Sequence, residues 1–172
     1  MSNEGKPEIL KAANDNQQPA EVGPTPEDLA NQIARLLFDN LQNIYSAEDK
    51  IKRASLALNN PNYYEVAVEL LGETKVFDLA PIVMDLEKSV SLPDNNEEPV
   101  TGEYKGLSTA LQAYRTGVQA LEAHLNAVER KITEQEPSSN QGLLLLNFEQ
   151  IKSYYQSLQV ILTRIERHFG ID

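Results

Sequence analysis

From Thr25 onward, apolar side chains recur at alternating intervals of three and four residues, the pattern of a helix with one buried face. The first run is Ala30, Ile33, Leu37, Asn40, Ile44, Ala47, Ile51, Ala54 and Leu58, in which only Asn40 interrupts the apolar seam. Thr25-Pro26-Glu27-Asp28 supplies its start: a capping hydroxyl, a proline where a missing N–H goes unused, and two acids against the positive end of the helix dipole. Asn59-Asn60-Pro61 supplies its end, because the residue before a proline is pushed away from α geometry.

Two later runs repeat the pattern. Leu107, Leu111, Tyr114, Val118, Leu121, Leu125, Val128 and Ile132 share one face and stop before Glu136-Pro137. Leu144, Phe148, Ile151, Tyr155, Leu158, Leu162, Ile165 and Phe169 share another, with Ser138 and Gln141 spaced as a capping box before it and Gly170 placed as a C-terminal cap. Between the first and third rods the pattern is less regular. Asn62 with Glu65 predicts a short helix ending near Gly72. Val76, Leu79, Val83, Leu86 and Val90 predict another, capped by Thr74 or Asp78. The Asp78 cap is favoured, since it puts Pro81 in the first turn, where proline costs little.

These elements predict an all-α protein, an antiparallel four-helix bundle whose second rod is broken or kinked near Gly72–Pro81. The long rods, of about 30–34 residues, come to about 45–50 Å each, so their lengths match. Short first and last connections force antiparallel neighbours, whereas the loop at 91–102 is long enough for a turn or a crossover. The second choice is a long hairpin of the last two helices with the first half packed less regularly upon it. Residues 1–24 offer only Ile9, Leu10 and Val22 as larger apolar side chains, too few to offset ordering entropy, and read as a disordered tail before a domain at 25–172.

Charge adds a direction to this rod bundle. The chain carries 15 basic and 26 acidic residues, net −11, and residues 61–103 alone hold ten acids against two bases. Such a balance argues against nucleic acid or anionic lipid as a partner, because affinity for phosphate comes mainly from Lys and Arg. There are no cysteines, hence no disulfides and no thiolate metal sites. No apolar run approaches the ~20 residues of a membrane span, and no signal-peptide core follows Met1, so the expected location is cytoplasmic.

The chemistry of catalytic bundles is not apparent. A di-iron bundle needs Glu three residues before His, and the residues there are Leu121 for His124 and Ile165 for His168. A phosphotransfer bundle places Lys three and Gly four residues after its histidine, where Ala127 and Val128 follow His124. The acidic run Asp94-Asn95-Asn96-Glu97-Glu98 has Pro99 where a calcium-binding loop requires glycine. No metal, cofactor or catalytic residue is therefore expected.

Some apolar positions exceed what one core uses. Ala34, Phe38, Leu41 and Tyr45 form a second row beside the first seam. Leu143-Leu144-Leu145-Leu146 covers more of its helix than one stripe needs, with Leu143 and Leu146 the outliers. Gly106, Ala113, Ala120 and Ala127 form a row of small side chains, beside Ala110 and Gly117, that another helix can approach closely. With the acidic edge that includes Glu97 and Glu98, these rows predict a non-catalytic interaction module, such as a chaperone, adaptor, inhibitor or assembly subunit. Its partner is expected to be a protein, a second copy included, and not a nucleic acid or a membrane. The alternatives are a phosphotransfer or other enzyme centred on His124, and a carrier of a small apolar ligand.

Overall fold

The computed structural model describes residues 25–90, 92, 99, 100, 102–135 and 138–171, and every regular element among them is helical. Helix α1 is Pro26–Ala57, and a 3-10 turn at Pro61–Tyr63 leads into α2, Tyr64–Glu73. A π-helical turn, Thr74–Leu79, joins α2 without a gap to α3, Ala80–Ser89, so these segments make one continuous second rod. Helix α4 is Lys105–Glu134 and α5 is Gln141–His168. The result is an all-α four-helix bundle, with long rods of 32, 30 and 28 residues in α1, α4 and α5. The tail expected at 1–24, and Glu97 and Glu98 of the acidic edge, lie outside the described residues.

The helix ends follow local chemistry. At α1 the Thr25 hydroxyl accepts from the Asp28 N–H at 3.1 Å while the Asp28 carboxylate accepts from the Thr25 N–H at 3.4 Å, a closed capping box. At α5 the Gly170 N–H donates to the Arg167 carbonyl and the Ile171 N–H to the Glu166 carbonyl, with Gly170 at φ 64°. That pair of bonds is a Schellman ending, and it needs the left-handed conformation glycine adopts freely. Two other caps differ from expectation. Asn60 rather than Asn62 caps the 3-10 turn, accepting from the Asn62 N–H, because Pro61 is best placed at the first helical position. Before α5 the cap position falls to Asn140 with no side-chain bond, and Ser138 contributes its carbonyl, not its hydroxyl, to the Gln141 N–H.

The second rod takes its form from a phase conflict. Its first half buries Ala67, Leu70, Leu71 and Thr74, and its second half buries Leu79, Ile82, Val83 and Leu86. At about 100° per residue the two stripes are out of step by roughly one residue, so a uniform α-helix would turn one of them to solvent. The π-helical turn absorbs an extra residue and brings both onto the core. Pro81 lacks the N–H that an α-helix would send to the Phe77 carbonyl, and that carbonyl lies in the wide turn. Val76 is consequently 53% exposed instead of lying on the core face. Thr74 and Asp78 are buried and cap nothing: the Thr74 hydroxyl donates to the Leu70 carbonyl at 2.8 Å, and Asp78 meets Lys50.

Long-range contacts set the order of the rods. Gly117, His124 and Lys131 of α4 meet Ile44, Glu48 and Ser55 of α1, so these two helices run parallel. Lys75 meets Gln150 of α5, and farther along Leu86 and Val90 border a cleft with Ile161 and Arg164, so the second rod and α5 are parallel as well. Each short connection joins an antiparallel pair, α1 to the second rod and α4 to α5. Each hairpin then presents both its helices to the other, leaving α1 diagonal to α5 and the second rod diagonal to α4. Val90 and Tyr104 therefore lie at the same end of the bundle, where the Val100 N–H donates to the His168 carbonyl at 2.8 Å. Every predicted seam position of α1 and α4 is buried, as are those of α5 apart from half-buried Tyr155.

Candidate functional site

Polar side chains between the rods are engaged in holding them. Lys50 of α1 lies 3.0 Å from the Asp78 carboxylate and 3.9 Å from Glu73, with the Phe77 ring 5.9 Å away, so one ammonium ties α1 to the π-helical turn. Opposite, the Asn147 amide of α5 donates to the Val68 carbonyl at 3.2 Å and accepts from Lys75 at 3.3 Å. Between α4 and α5, Arg115 donates to both oxygens of Glu166, to Gln159 and to Thr163. The hydrogen bond with Glu166 raises the Arg115 pKa, a sign that the pair favours its charged form. None of these contacts was read from the sequence, where Asp78 figured only as a helix cap, since each joins residues far apart in the chain.

His124 sits half-buried in the α1/α4 seam with its Nε2 3.7 Å from the Glu48 carboxylate. A carboxylate there opposes a phosphoryl group on the same nitrogen by like-charge repulsion. His168 lies in the last turn of α5, edge-on to the Phe169 ring at 4.7 Å. Among the described residues no three His, Asp or Glu side chains are grouped to hold a metal ion. A cleft of about 410 Å³ opens on the outer side of the second rod and α5, between Lys75, Val76, Ala80 and Tyr154, and does not enter the core. Among the described residues, no helix is long and apolar enough to cross a membrane.

The apolar rows lie where a partner can reach them. On α1, Phe38 and Tyr45 are 46% and 45% exposed, Leu41 is half-buried against the core, and Ala34 is buried. On α5, Leu143 and Leu146 are both 52% exposed, and Leu145, expected beside the seam, is exposed too. Among the small residues, Ala110 and Gly117 are buried, Gly117 against Ile44 of α1, while Ala113, Ala120 and Ala127 are only half-buried and Gly106 is exposed. The sequence did not flag Phe77 and Met84, each 65% exposed on the second rod, because the π-helical turn decides which way that face points. The two sets of rows fall on different faces. Phe38 and Tyr45 flank the α1/α4 seam, whereas Leu143 and Leu146 are on α5, diagonal to α1, and Val76 borders the cleft between the second rod and α5.

These features describe a four-helix bundle whose rods are cross-linked by polar side chains and which has two exposed apolar faces. No known protein family, curated protein or solved structure matches the chain.

Proposed function

We propose that this chain is a non-catalytic interaction module that binds a protein partner through its exposed apolar rows. The observation that carries this reading is the roughly half-exposed state of Phe38, Tyr45, Leu143 and Leu146, side chains a closed bundle would bury or replace with polar ones. A tyrosine such as Tyr45 belongs to the residue types that dominate the binding energy of protein interfaces when water is driven off them, and Phe38, Leu143 and Leu146 add apolar area. The acids of the second rod, with Glu65, Glu69, Asp85 and Glu87 exposed, steer partners of opposite charge and repel nucleic acid.

The test is affinity capture from the native host with three baits: the natural chain, Phe38→Glu with Tyr45→Glu, and Leu143→Glu with Leu146→Glu. The expected result is a discrete protein recovered by the natural chain and lost with at least one of the paired variants, each verified as folded by circular dichroism. Recovery of the same proteins by all three baits would remove the basis of the proposal.

A further inference from the structure

The α1/α4 face has the properties of a surface that meets its own copy. Phe38 and Tyr45 stand seven residues apart on α1 as a ridge, and Ala113, Ala120 and Ala127 recur every seventh residue on α4 as a shallow lane beside it. Because α1 and α4 are parallel, with Ile44 against Gly117, Glu48 against His124 and Ser55 against Lys131, Phe38 falls near the level of Ala113 and Tyr45 near that of Ala120. A two-fold axis running along the helices therefore sets the ridge of each copy against the lane of the other, with one spacing serving both contacts.

Charge points the same way. On α4 between Gly106 and Glu129, Arg115 turns to Glu166, Glu129 to Lys152 and Glu122 toward Tyr155, while His124 stays in the α1/α4 seam with Glu48 beside it. The exposed α4 positions Thr109, Gln112, Thr116, Gln119 and Ala123 carry no charge in a chain of net charge −11. The acids of 61–103 belong to the second rod and the connection after it, and that rod lies diagonally across the bundle from α4, so copies meeting at α1/α4 keep their acidic edges apart. The area is sufficient: about 25 residues of helix, about 37 Å long and two helices wide, cover roughly 700 Å² per copy, close to the ~800 Å² of a stable interface.

We propose that the partner at this face is a second copy of the chain, forming a two-fold dimer in which Tyr45 of each copy packs against Ala120 of the other. This rests on the reading of the chain as an interaction module and names one of its partners. The test is sedimentation velocity of the full chain. A species of twice 19.2 kDa is expected. Tyr45→Lys and Ala120→Glu, each shown folded by circular dichroism, should each weaken self-association at least tenfold, while Met84→Lys on the second rod should leave it unchanged. Mixing the Tyr45→Lys and Ala120→Glu chains should restore dimers, because a two-fold pair then holds one Lys–Glu contact and one natural contact.

A natural chain that stays monomeric up to about 100 µM overturns the dimer, as does a dimer untouched by both α1/α4 variants. If the chain is monomeric yet Phe38→Glu with Tyr45→Glu still abolishes partner capture, self-association fails and the interaction reading stands.

Discussion

Gly117 of α4 lies so close to Ile44 of α1 that a Cβ built on it would stand 2.6 Å from the Ile44 Cγ2 atom. Ile44 is fully buried and has nowhere to move. Gly117→Ala should therefore be destabilising despite the better helix propensity of alanine: the propensity gain is about 1 kcal/mol and overpacking costs about 1–3 kcal/mol. Urea denaturation should show a net loss, and Ile44→Ala in the same chain should add less than its effect alone. Gly142→Ala, where a Cβ meets open space, should change stability slightly and in the favourable direction.

Lys50 and Asp78 form the ion pair that ties α1 to the π-helical turn, with side chains only 17% and 7% exposed. Lys50→Met strands a buried carboxylate and should cost about 3 kcal/mol. Replacing both, Lys50→Met with Asp78→Leu, should recover most of that loss, since neither charge is then left unpaired. A double-mutant cycle from chemical denaturation measures the coupling. Strict additivity of the two single changes would contradict the pairing.

Tyr114 is wholly buried and its hydroxyl has no hydrogen-bond partner. Leaving such a group unpaired costs about 1–3 kcal/mol, so Tyr114→Phe should raise stability, by about 1 kcal/mol. The pH dependence follows. Burial, and secondarily the charge of Asp85, raise the Tyr114 pKa above its ordinary value of 10.0. The neutral phenol is the form the fold accepts, so its contribution is complete below pH 10 and declines as pH rises beyond that value, where the unfolded chain ionises first. Thermal melts above pH 10 should show the natural chain losing stability faster than Tyr114→Phe.

The π-helical turn predicts an unusual tolerance. Deleting Val76 shortens the step from Thr74 to Leu79 from five positions to four, the spacing of a plain α-helix, so both apolar stripes stay on the core. Circular dichroism and a single cooperative melt should persist. Deleting Gln119 from α4 has no such slack: it turns Leu121, Leu125, Val128 and Ile132 about 100° off the core and should abolish cooperative unfolding.

How much of this was readable in advance depends on where each feature's partner lies. Periodicity reports the direction of a core relative to one helix, so the seams of α1, α4 and α5, the Thr25 capping box and the Gly170 ending follow from residues a few positions apart. The irregular stretch at Gly72–Pro81 was visible as well, where Gly72, the alternative caps Thr74 and Asp78, and Pro81 interrupt the periodicity. Phe38, Tyr45, Leu143 and Leu146 were legible as surplus for the same reason: more apolar positions than one stripe holds.

The sequence by itself determined the three long helices, their lengths, their buried faces and the excess of apolar side chains. Only the tertiary structure decided that α1 runs parallel to α4, that a π-helical turn joins the halves of the second rod, that Val76 faces outward, and that Lys50 finds Asp78. The reason is physical: a buried stripe is satisfied equally by any neighbour that excludes water, since the hydrophobic effect carries no direction. Which neighbour arrives is settled by close fits such as Ile44 against Gly117 and by charges that must pair across the interior.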